Sequence, residues 1–137
     1  MDGCVFCKMV EGEILVTKVY EDETVLAFLD IGPISDGHTL VIPKQHCATM
    51  HACDPQVLAE TSVRLGRIAE AVVVATNADG YNVLSNNGAA AGQVVSHLHF
   101  HIIPRKMGDR VFTQWPSYKY KKGQMEDIAA RIRSHLK

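Results

Sequence analysis

The strongest constraint on the fold is a run near the C-terminal end in which histidines alternate with large apolar residues. Histidines stand at positions 97, 99 and 101, and the interleaved residues are Leu98, Phe100 and Ile102. Successive side chains of a β-strand point to opposite faces, so this alternation predicts a strand over Val94–Ile103 with one buried face. The imidazoles of His97, His99 and His101 would share the other face, with neighbouring rings about 6–7 Å apart. Such a row of imidazoles suits a multiply charged anion or a metal ion.

Turn residues and apolar spacing predict the remaining elements. The other candidate strands are Thr17–Tyr20, Val25–Leu29, His38–Ile42 and Tyr81–Ser85. Asp54 and Pro55 form a typical helix start, and apolar residues at helical spacing predict a long helix over Gln56–Asn77 that stops near Gly80. A short helix or turn is predicted over Lys8–Glu13 and a C-terminal helix over Gln124–Leu136. A meander of about five strands with one long helix indicates an α+β fold with an antiparallel sheet.

The composition is typical of a single globular domain spanning residues 1–137. The formal net charge is −1, which argues against nucleic acid as a partner, and no apolar run has the length of a membrane span. Because the N-terminus lacks the basic and apolar regions of a secretory signal, we expect a cytoplasmic protein. In that compartment the four cysteines are expected to be reduced, which favours metal binding over disulfides. They are Cys4, Cys7, Cys47 and Cys53.

The loop that precedes the histidines is rich in small residues. Residues 88–92 are Gly-Ala-Ala-Ala-Gly, preceded by Asn86 and Asn87 and followed by Gln93. Glycine lets the backbone approach a ligand closely, and exposed backbone N–H groups in such a loop can cradle a phosphate. We therefore expect an anion to be held beside the imidazoles.

These motifs together resemble the histidine-triad (HIT) family of nucleotide-binding hydrolases and transferases. The signature is three histidines separated by apolar residues, and His97–Ile103 matches it in full. The resemblance extends through Asn86–Gly88, Gly92–Val95, Ala27–Ile31 and Gly37–Lys44, so it covers most of the chain. The chain is most similar to the prokaryotic subgroup whose members open with Cys-x-x-Cys.

The resemblance implies a HIT-like fold and an enzyme that acts on nucleotides. The middle histidine of the family attacks the α-phosphorus of a nucleoside monophosphate unit, and water hydrolyses the nucleotidyl-histidine intermediate. This predicts a hydrolase of nucleoside phosphoramidates or related nucleotide conjugates, with a purine nucleotide as substrate. One alternative is a dinucleoside polyphosphate hydrolase or nucleotidyl transferase with the same nucleophile, and another is a non-catalytic nucleotide-binding protein. The resemblance also implies a homodimer formed through the long helix and a sheet edge.

The family pattern assigns four histidines to catalysis. His99 would be the nucleophile, with its other ring nitrogen held by a backbone carbonyl. His101 would hydrogen-bond an α-phosphate oxygen or protonate the leaving group. His38 would lie behind the triad and support its hydrogen bonds, although a satisfied core histidine is the alternative. His97 is the first member of the triad and also a candidate metal ligand.

The same pattern assigns the nucleotide contacts. Asp30 would accept hydrogen bonds from the ribose hydroxyls, or alternatively cap the turn that follows it. Ile31 would flank the base, and Asn86 would contact phosphate or ribose unless it is a plain turn residue. Gln93 would present its backbone N–H to phosphate. Val94 stands where the family often has serine or threonine, so a hydroxyl hydrogen bond worth about 1 kcal/mol is absent there.

Cys4-x-x-Cys7 supplies half of a tetrahedral zinc site. In the Cys-x-x-Cys subgroup the other two ligands correspond to His46 and His97, which would make zinc a structural brace of the catalytic segment. Zinc ligation by the triad itself is unfavourable, because a strand spreads three alternate residues over about 13 Å. A metal-free pair of thiols also stays open, and the competing ligands are Cys47, His51 and Cys53.

Overall fold

A computed structural model describes residues 3–112 and 115–136. In chain order the elements are α1 (Val5–Val10), β1 (Lys18–Glu21), β2 (Val25–Leu29), β3 (Thr39–Pro43), α2 (Pro55–Thr76), β4 (Gly80–Leu84), β5 (Phe100–Arg105) and α3 (Gln124–Ser134). The strands form one sheet in the order β1-β2-β3-β5-β4, and each neighbouring pair is antiparallel. This arrangement confirms the predicted α+β class with a five-stranded antiparallel sheet.

Both faces of the central strands are covered. Alternate residues of β2 and β3 pack beneath α2, where the buried cluster includes Val25, Ala27, Val41, Ile68, Ala69 and Val72. The intervening residues face α1, where the cluster includes Phe6, Leu26, Phe28, Leu40 and Ile42. Strands buried on both faces have nearly continuous apolar sequences, which explains the composition of β2 and β3.

The predicted histidine strand is wrong in its first half. β5 begins at Phe100, whereas the chain bends over residues 95–97 and has no ladder partner there. At the end of this bend the Leu98 N–H donates to the Cys47 carbonyl at 2.7 Å, a contact distant in sequence. The predicted faces nevertheless hold from Leu98 onward. Leu98, Phe100 and Ile102 pack in the cluster beneath α2, and His101 points to the α1 face.

Two helix boundaries differ from those predicted by the sequence: the start of α1 and the end of α2. α1 begins at Val5 instead of Lys8 because Cys4 acts as its N-cap, with the Cys4 Sγ accepting the Cys7 N–H at 3.3 Å. α2 ends before Asn77, which adopts a left-handed conformation, and Gly80 starts β4 instead of stopping the helix. Within residues 3–112 and 115–136, no helix combines the length and hydrophobicity needed to cross a membrane.

The expectation of four reduced cysteines is also corrected. The structure pairs Cys47 with Cys53, and their Cα atoms are 5.1 Å apart, a separation that a disulfide can span. A short turn over Met50–Ala52 brings the two residues together. Cys4 and Cys7 remain free thiols.

Gly37 shapes the turn that delivers the chain into β3. Its φ angle is +93°, in the region that favours glycine. A Cβ atom at this position would lie 2.5 Å from the Thr76 Cγ2 and 3.4 Å from the Pro104 Cγ. The turn between β2 and β3 therefore packs directly against the end of α2, one residue before His38.

We predict that Gly37→Ala lowers the free energy of unfolding by about 2–4 kcal/mol, because the substitution adds both backbone strain and a clash with Thr76. Urea denaturation measures the change. Gly66→Ala is the matched control, since Gly66 is exposed within α2 and an added Cβ meets nothing within 4 Å. The control should raise stability by about 0.5–1 kcal/mol. Equal stability of the two variants would contradict the packing described.

Candidate active site

A cavity of about 610 Å³ opens on the α1 face of the sheet. Its walls come from the connection between α1 and β1, the end of β2, and the loop that precedes β5. His99 and His101 line it, together with Asp30, Ile31, Asn86 and Val94. The structure thus brings six of the predicted site residues to one cavity.

The ring of His99 is held in one tautomer. Its Nδ1 lies 2.8 Å from the carbonyl oxygen of His97, and because a carbonyl can only accept, Nδ1 carries the proton. The neutral ring then has a lone pair on Nε2. Every fully buried side-chain nitrogen or oxygen of the described residues has a hydrogen-bond partner, and His99 Nε2 makes no hydrogen bond with them. This nitrogen therefore reaches the open cavity with its lone pair free.

A second chain of hydrogen bonds orients His101. The Ile34 N–H donates to His38 Nδ1 at 3.1 Å, so the proton of a neutral His38 is on Nε2. His38 Nε2 in turn donates to His101 Nδ1 at 2.8 Å. His101 therefore keeps its own proton on Nε2. His38 and His101 come together because β3 and β5 pair with Leu40 opposite His101, which places His38 on the diagonal.

The electrostatic environment keeps both of these rings neutral. Burial, together with the neighbouring His99 and His38, lowers the pKa of His101 to about 4, against the opposing attraction of the Asp30 carboxylate. Burial also lowers the pKa of His38, against the opposing attraction of the Asp30 carboxylate. At neutral pH the hydrogen bonds from Ile34 through His38 to His101 therefore all run in one direction. The last group of the series is the N–H donor on His101 Nε2.

Asp30 serves the turn and the cavity at once. One carboxylate oxygen accepts the Gly32 N–H at 2.8 Å, as expected of a turn cap. The other oxygen lies 3.7 Å from His38 Nε2. Because Asp30 also lines the cavity, a ligand hydroxyl there has a carboxylate acceptor within the cavity wall.

Exposed aliphatic side chains form the rim of the cavity. Ile31 and Val94 are almost fully exposed, as is Leu15 from the α1–β1 connection. Sequence reasoning missed Leu15, because the run Ile14–Val16 follows neither helical nor strand periodicity. An apolar run between a helix and a strand was the available signal. Phe28 lies in the floor of the cavity, although it packs edge-on against Phe6 as a core residue.

The segment from residue 86 to residue 98, here called the histidine loop, is tied down mainly by Gln93. Its side-chain Oε1 accepts the Gly88 N–H at 2.8 Å, and its Nε2 donates to the carbonyls of Ala48 at 2.6 Å and Val95 at 3.0 Å. Its backbone N–H donates to the Gly88 carbonyl at 3.1 Å. Gln93 therefore shapes the loop. In this structure its backbone N–H, which the family pattern assigns to phosphate, donates within the loop to Gly88.

The four expected metal ligands form a cluster beside this site. The Sγ atoms of Cys4 and Cys7 and the Nδ1 atoms of His46 and His97 all lie within 4.8 Å of one another. Four of these separations are between 3.1 and 3.6 Å. Tetrahedral zinc with bonds of about 2.0–2.3 Å requires ligand atoms roughly 3.3–3.8 Å apart, so the donor set fits zinc. Cys47 and Cys53 contact each other instead of this cluster.

His97 connects the cluster to His99. Its Nε2 donates to the Pro43 carbonyl at 2.8 Å, which leaves the Nδ1 lone pair facing the two thiols. This second hydrogen bond is typical of metal-ligating histidines. The backbone carbonyl of the same residue accepts the proton of His99, and the Phe6 ring contacts both imidazoles edge-on.

Comparison with known proteins identifies the family. The HIT domain profile matches residues 11–108, which include all of the triad and every cavity-lining residue except Phe6 and Met9. The chain belongs to the HIT family. The HIT-family assignment made from the alternating histidines is therefore confirmed.

Two relatives align along nearly all of this HIT chain. Adenylylsulfatase HINT3 from Arabidopsis thaliana is 42% identical over 141 residues, which cover 98% of this chain and 70% of the relative. Adenosine 5'-monophosphoramidase hnt1 from Schizosaccharomyces pombe is 40% identical over 136 residues, which cover 98% of this chain and 99% of the relative. Both names are those of hydrolases of adenosine nucleotides, which confirms the predicted enzyme class at the level of the family.

Solved structures agree with this fold. A HIT family protein from Bacillus anthracis superposes with a TM-score of 0.90 at 43% identity, covering 99% of each chain. A zinc-bound histidine triad family protein from Mycobacterium smegmatis superposes with a TM-score of 0.76 at 36% identity, covering 98% of each chain.

We predict that the ring of His101 titrates near pH 4 in the folded protein, as measured by NMR of the histidine side chains. An unfolded histidine takes up its proton near pH 6.5, so the unfolded state binds the proton first as the pH falls. The free energy of unfolding should therefore be highest above pH 6.5, and this residue should remove about 1–2 kcal/mol of it by pH 5.

Urea denaturation at pH 7 and pH 5 isolates that contribution. His101→Gln should lose less stability between the two pH values than the native chain, whereas His135→Gln, at an exposed position after α3, should behave as the native chain does. Titration of His101 at pH 6 or above would show that burial does not control its charge.

Proposed function

We propose that this protein hydrolyses nucleoside phosphoramidates or related nucleotide conjugates at the α-phosphorus, through a nucleotidyl-histidine formed on His99. The observation that carries the proposal is the hydrogen bond from His99 Nδ1 to the His97 carbonyl, which leaves the Nε2 lone pair facing the cavity. Attack by this nitrogen forms a P–N bond and breaks the bond to the leaving group. Water then breaks the P–N bond and releases the nucleoside monophosphate.

His101 is suited to stabilise the negative charge that develops on the α-phosphate oxygens. Its ring is neutral at pH 7 and offers one N–H, on Nε2, beside the nucleophile; the ring centroids of His99 and His101 are 5.1 Å apart. A donor fixed in advance costs no reorganisation when the negative charge grows on the α-phosphate oxygens. His38 holds His101 in this orientation and does not itself line the cavity.

The nucleoside part of the substrate fits the other walls. Asp30 offers a carboxylate oxygen for the ribose hydroxyls, and carboxylates have this role in other nucleotide sites. Ile31 and Leu15 provide exposed apolar surface for a purine. Asn86 lines the cavity from the histidine loop and supplies an amide near the phosphate. Val94 stands at the rim without a hydroxyl, so the leaving group receives no side-chain hydrogen bond from this position.

Adenylyl sulfate is a second candidate substrate, because a relative that is 42% identical along 98% of this chain is named adenylylsulfatase. The same attack by His99 would release sulfate in place of an amine. Sulfate departs without a proton, so this substrate would depend less on proton donation than a phosphoramidate does.

We also propose that zinc occupies the cluster of Cys4, Cys7, His46 and His97 as a structural ion. The ligand separations and the Pro43 contact support it, as does the zinc-bound neighbour from Mycobacterium smegmatis. Bound zinc would fix the ring of His97 and, through the same residue, the carbonyl that orients His99.

The homodimer and the cytoplasmic location stay predictions. The edge strand β4 pairs only with β5 and has Tyr81 and Val83 partly exposed. Val63 and Val74 on α2 are also exposed. These surfaces support a second copy of the chain as the partner.

We predict that His99→Ala reduces hydrolysis of adenosine 5'-phosphoramidate at least about 1,000-fold, because the covalent route is lost. The dissociation constant for AMP should change less than about 3-fold, since Asp30 and Asn86 remain. His135→Ala is the matched control and should retain full activity. Acid quench of the native enzyme during turnover, followed by mass spectrometry, should find the nucleotidyl group on His99.

Turnover without an adduct, or an active His99→Ala, would contradict the mechanism. Adenylyl sulfate and diadenosine polyphosphates are assayed beside the phosphoramidate at equal enzyme concentration. A kcat/KM that is higher for either of them would reassign the leaving group and leave the nucleophile in place.

Metal analysis tests the zinc proposal. We predict about one zinc per chain in the native protein, and much less in Cys4→Ser together with a lower melting temperature, because one of four ligands is lost. His51→Ala is the matched control, since His51 is exposed and outside the cluster, and it should keep its zinc. Full zinc content in Cys4→Ser, or none in the native protein, would refute the site.

A further inference from the structure

A second pair of cysteines lies beneath α2, on the face of the sheet opposite the active-site cavity. Cys47 and Cys53 begin and end a segment that we call the brace loop, residues 47–53. Both are largely buried in the cluster beneath α2, with 8% of their surface exposed, whereas residues 50–52 between them are exposed. The pair therefore lies one short turn below the protein surface.

The brace loop supports the histidine loop through three hydrogen bonds. The Cys47 carbonyl accepts the Leu98 N–H at 2.7 Å. The Ala48 carbonyl accepts Gln93 Nε2 at 2.6 Å, and the Met50 N–H donates to Asn87 Oδ1 at 2.7 Å. These contacts are spread along the histidine loop, from the residue after Asn86 to the residue before His99.

Both ends of the brace loop are otherwise fixed. His46, one residue before it, belongs to the metal-ligand cluster. Asp54, one residue after it, caps α2 by accepting the Gln56 N–H at 2.8 Å. A bond between Cys47 and Cys53 closes the neck of the segment that carries all three contacts. Such a bond restricts the conformations of the enclosed loop.

We propose that Cys47 and Cys53 are a reversible redox site, whose disulfide holds the brace loop and through it the nucleotide-binding histidine loop. The inference rests on the proposed function for its effect on nucleotide binding. In the disulfide form the three hydrogen bonds are held in place. In the dithiol form the brace loop is freer, and the histidine loop loses part of its support.

The oxidant is a low-molecular-weight disulfide such as oxidised glutathione. One cysteine sulfur attacks it, forming a mixed disulfide and releasing one glutathione thiol. The second cysteine sulfur then attacks the mixed disulfide, forming the Cys47–Cys53 bond and releasing the second glutathione. The two cysteines lose two electrons, which reduce one glutathione disulfide to two thiols. Reduced glutathione in excess reverses both steps.

Cys4 and Cys7 are not part of this site. Their sulfur atoms face His97 and His46, and neither belongs to the cluster beneath α2 that holds the second pair. Retention of zinc therefore reports on the first pair while the second pair is oxidised or reduced.

The experiment equilibrates the full chain with zinc in oxidised or reduced glutathione. Digestion without reductant, followed by mass spectrometry, locates the disulfide, and metal analysis follows the zinc. Hydrogen exchange measures protection of residues 86–98, and calorimetry measures AMP binding. We expect the disulfide form to exchange these amides about 5-fold more slowly and to bind AMP about 5-fold more tightly.

The matched control is the double variant Cys47→Val, Cys53→Val, which keeps apolar side chains in the core and has no response to either reagent. Cys53→Ala provides the same test should the double variant fold poorly. The comparison between the oxidised and reduced forms of the native chain needs no variant. The proposal is overturned by a disulfide that forms without changing exchange or binding, by absence of the disulfide in oxidised glutathione, or by an equal response of the double variant.

The exchange measurement needs neither nucleotide nor turnover. Slower exchange in a chain that hydrolyses no nucleotide would therefore refute the proposed function and retain the redox site.

Discussion

The active site depends on one short hydrogen bond, from His99 Nδ1 to the carbonyl of His97. It decides which nitrogen of His99 keeps a lone pair. The bond forms just after the chain bends over residues 95–97. After the same bend the His97 ring faces the thiols of Cys4 and Cys7, so this segment both orients His99 and completes the cysteine–histidine cluster.

The sheet order supplies the second half of the site. β3 lies between β2 and β5, so residues flanking the turn of the β2–β3 hairpin meet a residue near the start of the last strand. Asp30, His38 and His101 come together in this way although they are far apart in sequence. Their burial keeps the imidazoles uncharged. The hydrogen bonds that start from the Ile34 N–H therefore all run toward His101. The geometry of Gly37 is needed for this arrangement, because it delivers His38 against the end of α2.

The sequence pattern correctly predicted the features that depend only on local backbone geometry. Alternation placed Phe100 and Ile102 on the buried face because strand geometry alone decides it. The bend before His99 was not predictable from pattern, because the Leu98 N–H at its end bonds to Cys47, about fifty residues earlier in the chain. Leu15 was missed for a similar reason, since its place at the cavity rim comes from tertiary structure and its neighbours show no periodicity. The roles of the triad came from the family resemblance and not from spacing.

Two pairs of cysteines lie next to the histidine loop. Cys4 and Cys7 act on its C-terminal end, through the ring of His97. The Cys47–Cys53 pair acts along its length, through carbonyls that hold Gln93 and Leu98. A loop rich in glycine and alanine has few side chains with which to order itself, so its shape must be imposed by neighbours. The position of His99 at the end of this loop therefore depends on contacts outside the cavity, including those from residues 47–53.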